Sequence, residues 1–80
     1  MNRIAVISLI VTDPAAVEPL NALLHEYADA IIGRMGLPVR ERNLHLISVA
    51  LDAPSDTINA LTGALGRVPG LTAKATFSKA

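Results

Sequence analysis

The sequence predicts an α+β fold of the split βαβ kind. This is a ferredoxin-like β-α-β-β-α-β sandwich whose four-stranded antiparallel sheet, in order 4-1-3-2, carries two helices on one face. Three observations lead there. The runs RIAVISLIV (residues 3–11) and LHLISVAL (residues 44–51) are apolar on both faces, as strands in the middle of a sheet are, whereas residues 31–39 are interrupted by Gly33, Gly36 and Pro38, as an edge strand tolerates. Two segments between these runs space their apolar residues for a helix. The last run alternates, Leu71, Ala73, Ala75 and Phe77 against Thr72, Lys74, Thr76 and Ser78, as a half-buried strand does.

Taken in order, the first strand ends at Asp13-Pro14, where Asp13 can cap a helix and Pro14 can occupy its first position without losing a hydrogen bond. Val17, Leu20, Leu24, Tyr27 and Ile31 then recur at helical spacing, with Leu23 widening the stripe. Pro19 interrupts this pattern, so the first turn is expected to fray or kink, or the regular helix to begin near Glu18. The edge strand over residues 31–39 leads into a polar hairpin, Arg40-Glu41-Arg42-Asn43, in which Asn43 tolerates a left-handed conformation. After the second central strand, Asp52-Ala53-Pro54 leads to a helix with Ser55 as its cap, Asp56 in its first turn and Ile58, Leu61 and Leu65 as its stripe. Gly66 suits the helix end, and Pro69-Gly70 turns the chain into the last strand.

Eighty residues make one domain, near the size at which a single core gives marginal stability. The composition is 51% hydrophobic with a mean hydropathy of +0.44, more apolar than so small a chain needs for its own interior. With both helices on one side of the sheet, the other face would carry about half of the central strands' apolar side chains, which points to a homo-oligomer, a dimer or tetramer, formed through that face or an edge.

The chain has no cysteine, which removes thiolate metal sites, cysteine nucleophiles and redox pairs. Seven basic and seven acidic residues cancel, and there is no basic helix or helix-turn-helix, so direct nucleic-acid binding is not expected. The longest apolar run, residues 4–11, is too short to span a bilayer and is followed by Asp13-Pro14 instead of a cleavage site, which leads to the expectation of a cytoplasmic protein without a membrane segment.

Three phrases carry a resemblance over nearly the whole chain: RIAVISLIV, HEYADAIIGRMGLP with the following RER, and LISVALDAPSDTINALTGALGRVPG. They resemble the small proteins described as iron-only hydrogenase system regulators. The resemblance implies an ACT-like version of the ferredoxin-like fold, related to the C-terminal domain of nickel-responsive repressors, and a regulatory or sensing role without catalysis. Two departures limit what is carried over. The turn VTDPAAV lacks the glycine that amino-acid-binding ACT domains present there, and two histidines without cysteine do not supply the nickel regulators' three histidines and a cysteine.

Among individual residues, Arg34 stands out because it lies between two glycines in an apolar run. With Gly33, Gly36, Arg40 and Arg42 it forms the candidate effector-binding set, combining guanidinium forks with close backbone approach, against the alternative of a charged edge strand guarded from aggregation. His25 and His45 are the only imidazoles. A metal site would need them joined by Glu26, Asp29 or Asp52, or by ligands from another chain, and no motif spacing is present, so no metal or other cofactor is expected. GALGRVPG (residues 63–70) ends a helix instead of opening one, which is the wrong polarity for a phosphate. The serines and threonines have no histidine-carboxylate relay, and Asp52 with Asp56 is explained by helix capping.

The resulting expectation is a non-enzymatic regulatory domain of an iron-only hydrogenase system that oligomerises and binds a small effector at a subunit interface. One alternative is a protein-interaction module acting through a DNA-binding partner. Another is a small ferredoxin-like enzyme using His25 or His45.

Overall fold

The computed structural model describes residues 1–79. Four strands, β1 (Asn2–Val11), β2 (Ile31–Val39), β3 (Leu44–Pro54) and β4 (Leu71–Phe77), form one antiparallel sheet in the order β2-β3-β1-β4. The helices are α1 (Val17–Glu26) and α2 (Ser55–Gly66). This is the expected ferredoxin-like arrangement, with the doubly apolar strands in the middle and the glycine-proline strand at an edge.

Alternation along β1 and β3 decides the core. Ala5, Ile7, Leu9 and Val11 of β1 and Ile47, Val49, Leu51 and Ala53 of β3 are buried beneath Leu20 and Leu24 of α1 and Ile58, Leu61 and Leu65 of α2. Among the described residues no polar or charged side chain is buried, so the side chains of the interior are held by apolar packing.

Local chemistry sets the element ends, and four expectations need correction. Asp13 caps a short 3-10 turn (Pro14–Ala16), its carboxylate accepting from the Ala15 N–H at 2.9 Å, and the α-helix begins only at Val17. Pro19 explains the delay. A proline ring collides with the carbonyl four residues earlier, here Ala15, so the preceding backbone closes i to i+3 instead, as in the 2.9 Å bond from Ala16 N–H to the Asp13 carbonyl. Within α1 the proline lies third, where its missing N–H has no intrahelical acceptor in any case, so the frayed start is a 3-10 turn and not a kinked helix.

The second correction concerns the stripe of α1, which does not reach Ile31. The helix stops at Glu26, a 3-10 turn (Ala28–Ala30) follows, and Ile31 opens β2. Third, β3 does not end at residue 51 but pairs with β1 as far as Pro54 opposite Asn2. Fourth, Ser55 is therefore not a cap: the chain passes from strand to helix at Pro54, Ser55 is already helical, and no side chain caps α2.

The turns follow the sequence more closely. Asn43 closes the β2–β3 hairpin with φ 54° and ψ 40°, and Gly70 opens β4 with φ 81°. Gly70 also accepts from the Thr12 N–H at 2.8 Å through its carbonyl, which ties the end of β1 to the start of β4. At the opposite end of the sheet, the Arg3 guanidinium lies 5.0 Å from the centre of the Phe77 ring and donates to the Ser78 carbonyl at 2.9 Å.

Candidate functional site

The face of the sheet away from the helices is apolar and open. Register places its side chains in rows across the strands: Thr72, Ile10, Leu46 and Leu37 in one, Lys74, Ser8, Ser48 and Met35 in the next, then Thr76, Val6, Ala50 and Gly33. Met35 and Leu37 are 70% and 59% exposed, and Ile4, Val6, Ile10 and Leu46 are between 37% and 44%. A shallow groove of about 500 Å³ runs between Ile10, Leu46 and Leu37 on one side and Ser8, Ser48 and Met35 on the other. Among the described residues, Lys74 and Asp52 are the only charges that the register places on this face.

A second feature lies on the helix side of the same edge strand. Arg34 pairs with Val49, a core position, so its side chain leaves the sheet toward α1 and donates to Asn21 Oδ1 at 3.1 Å. Asn21, Leu24, His25, Ala28, Ile31 and Arg34 line an open cleft of about 340 Å³ between α1, the turn after it and β2. Asn21 and Arg34 are thirteen residues apart and become partners only because α1 packs alongside β2. Reasoning on the sequence singled out Arg34 but passed over Asn21, an exposed polar residue with no periodic or motif signal of its own.

The five candidate effector residues are not gathered in one pocket. Gly33 and Arg34 are neighbours, but Gly33 lies in an open-face row and Arg34 points the other way. Gly36 is on the helix side, and Arg40 and Arg42 lie on the exposed 3-10 turn of the hairpin (Arg40–Arg42). Six residues of extended chain put Arg40 roughly 20 Å from Arg34.

The two glycines also differ in what they make room for. A Cβ on Gly36 would lie 3.2 Å from His45 Nε2, so the imidazole rests against the bare strand, whereas a Cβ on Gly33 would meet nothing within 4 Å. Close approach within the protomer therefore explains Gly36 and not Gly33. Neither has a left-handed φ. Gly33→Ala is expected to stabilise the protomer by about 0.4–1 kcal/mol by restricting the unfolded chain, while Gly36→Ala should gain less because the ring of His45 must shift. Urea unfolding of both variants checks the ordering, and a destabilising Gly33→Ala would contradict it.

The two histidines stand apart in role. His25 is exposed on α1 and lines the cleft with Arg34, while His45 is half-buried on the helix side of β3. Asp52, one of the carboxylates considered with them, is on the opposite face of the sheet from His45. Among the described residues no group of three or more His, Cys, Asp or Glu side chains is placed to hold a metal ion. No helix there is long and apolar enough to cross a membrane.

Comparison with known proteins agrees with this architecture. The structure of the uncharacterized protein TM1266 from Thermotoga maritima superposes with a TM-score of 0.94 at 35% sequence identity, covering 99% of this chain and 100% of that one. The C-terminal domain of the MgtC protein from Mycobacterium tuberculosis gives 0.74 at 13% identity, covering 96% of this chain and 88% of that domain. A formyltetrahydrofolate deformylase from Pseudomonas putida KT2440 gives 0.65 at 14% identity, covering 91% of this chain but 28% of the enzyme. These last two share the fold alone. No curated protein matches the sequence. The TM1266-like family, described as regulators of the iron-only hydrogenase system, matches over residues 3–75. That match, together with end-to-end similarity to TM1266, makes this chain a member of the iron-only hydrogenase system regulator family.

Proposed function

We propose that the chain is a non-enzymatic, ACT-like regulatory domain that assembles with copies of itself through the open face of its sheet and changes that assembly when a small effector binds. The observation that carries this reading is the open face itself. Its middle is a patch of Ile, Val, Leu and Met side chains that nothing in the protomer covers, and patches of that kind mark interaction surfaces.

Size and charge favour a second copy as the covering partner. Four strands about 4.8 Å apart and seven to eleven residues long present on the order of 600 Å² in projection, and side-chain relief brings the accessible area toward the roughly 800 Å² per partner of a stable interface. The face carries one positive and one negative residue, so a two-fold operation can bring Lys74 of one copy toward Asp52 of the other without a like-charge clash.

The alternation of β2 supplies a route from effector to assembly. Met35 and Leu37 face the interface while Arg34 between Gly33 and Met35 faces α1, so a ligand that repositions Arg34 also moves the strand that carries the interface residues. Regulation of a hydrogenase system would then act on transcription through a DNA-binding partner, in keeping with a net charge of zero on this chain.

Light scattering coupled to size-exclusion chromatography tests the reading. A dimer or tetramer is expected at low micromolar concentration, and a protein that remains monomeric there would sink it.

A further inference from the structure

We propose that the cleft between α1 and β2 is a binding site for a small carboxylate with a short apolar chain, the guanidinium of Arg34 holding the carboxylate and Leu24, Ala28 and Ile31 receiving the chain. The proposal rests on the reading of the protein as an effector-responsive regulator and names where the effector sits and what it is chemically.

The chemistry of the cleft is one-sided. A guanidinium carries five N–H donors, and Arg34 uses one of them on Asn21 Oδ1 at 3.1 Å. Among the described residues it has no carboxylate partner, and none of the six residues that line the cleft is acidic. Two further donors stand beside it. The Asn21 carboxamide keeps its NH₂ group free when its oxygen accepts from Arg34, and the His25 ring has no hydrogen-bond partner among the described residues. Asn21 also fixes the guanidinium in place before a ligand arrives, which lowers the ordering cost of binding.

The same features select among anions. A planar fork matches a carboxylate with two parallel N–H···O bonds. One guanidinium over an apolar floor compensates a single negative charge, whereas a phosphate near its dianion would bring a second charge that the apolar side leaves unmatched. The volume of about 340 Å³ is at the small end of ligand sites, which fits a carboxylate with a chain of a few carbons. Arg40 and Arg42 are outside the cleft and take no part.

Titration of the wild-type protein with 4-methylpentanoate, 4-methylpentanamide and inorganic phosphate, followed by ¹H–¹⁵N NMR, tests the assignment. The carboxylate is expected to saturate in the millimolar range or below while shifting the amides of Asn21, Ala28 and Arg34, with the amide at least about tenfold weaker for want of the charge-assisted bonds. Arg34→Met should lose saturation, and Arg34→Lys, which keeps the charge but not the fork, should weaken it. Ala28→Leu should weaken the branched carboxylate more than acetate by filling the apolar end, and the double variant Arg40→Met/Arg42→Met should bind as wild type. Saturation that survives Arg34→Met, phosphate binding as tightly as the carboxylate, or no saturation by the carboxylate at tens of millimolar would each overturn the proposal. Sedimentation velocity on the same samples separates it from the assembly reading. An assembled protein that fails to bind defeats this site alone, and a monomer that binds through Arg34 supports the site while defeating the assembly.

Discussion

Leu46→Glu is expected to convert the assembled protein into a folded monomer. Leu46 occupies the middle of the open face, directly between Ile10 on β1 and Leu37 on β2, and 37% of its surface is already in water in the protomer. A carboxylate there is solvated in the single chain, so the fold should persist with an unchanged circular dichroism spectrum. In a two-fold interface the substitution acts twice, each time removing an apolar contact and burying a charge against Ile and Leu side chains. A loss of about 1.5–3 kcal/mol per copy amounts to a dissociation constant weakened by roughly two to four orders of magnitude. Sedimentation equilibrium measures this directly. Asn59→Glu, on the exposed side of α2, is the control that should leave the assembly mass unchanged. A Leu46→Glu protein that assembles as the parent does would place the interface elsewhere, with the sheet edges next in line.

Gly70→Ala is expected to be the most damaging single-methyl addition in the chain. Two costs coincide at this residue. Its φ of 81° lies where an L side chain meets the following carbonyl, a penalty of about 1–2 kcal/mol. A Cβ there would also collide with the Cβ of Asp13 and fall 3.3 Å from the Asp13 nitrogen, so backbone as well as side chain must retreat, at about 1–3 kcal/mol for an overpacked contact. Retreat of Asp13 disturbs the cap on Ala15 and the bond from the Thr12 N–H to the Gly70 carbonyl, which together join β1, the 3-10 turn and β4. The sum, about 2–5 kcal/mol, is a large share of the stability of a domain this small. Thermal unfolding should show a midpoint lower by at least about 10 °C. Asp13→Gly in the same chain removes the collision with the side chain but leaves the backbone contact and the φ penalty, so the double variant should recover part of the loss. A double-mutant cycle by urea unfolding separates the two contributions, and a Gly70→Ala cost below about 1 kcal/mol would mean that the turn relocates freely.

The site was less legible than the scaffold, for a reason visible in particular residues. Arg34 could be singled out because a charge between two glycines in an apolar run breaks a local pattern. Its partner Asn21 could not, since nothing near Asn21 breaks a pattern and the bond between them depends on the distance between a helix and a strand thirteen residues apart. The grouping of Arg34 with Arg40 and Arg42 followed their closeness along the chain, whereas the strand between them separates the side chains. The same limit applied to Ser55. As a residue type it suits a cap, but continued pairing of Asp52, Ala53 and Pro54 with β1 left no non-helical position for it to fill.

Periodicity and turn chemistry are properties of short segments, so the sequence by itself determined the strands, their central or edge places, the left-handed Asn43, the capping Asp13 and the turn at Gly70. Packing decided what depends on distances between segments. It set how far β3 runs, which face of each strand the helices cover, and that Arg34 turns toward Asn21 and His25 while Met35 and Leu37 turn toward the open face. A two-residue period states that successive side chains point to opposite faces, but only the folded sheet fixes which face meets a helix and which meets water.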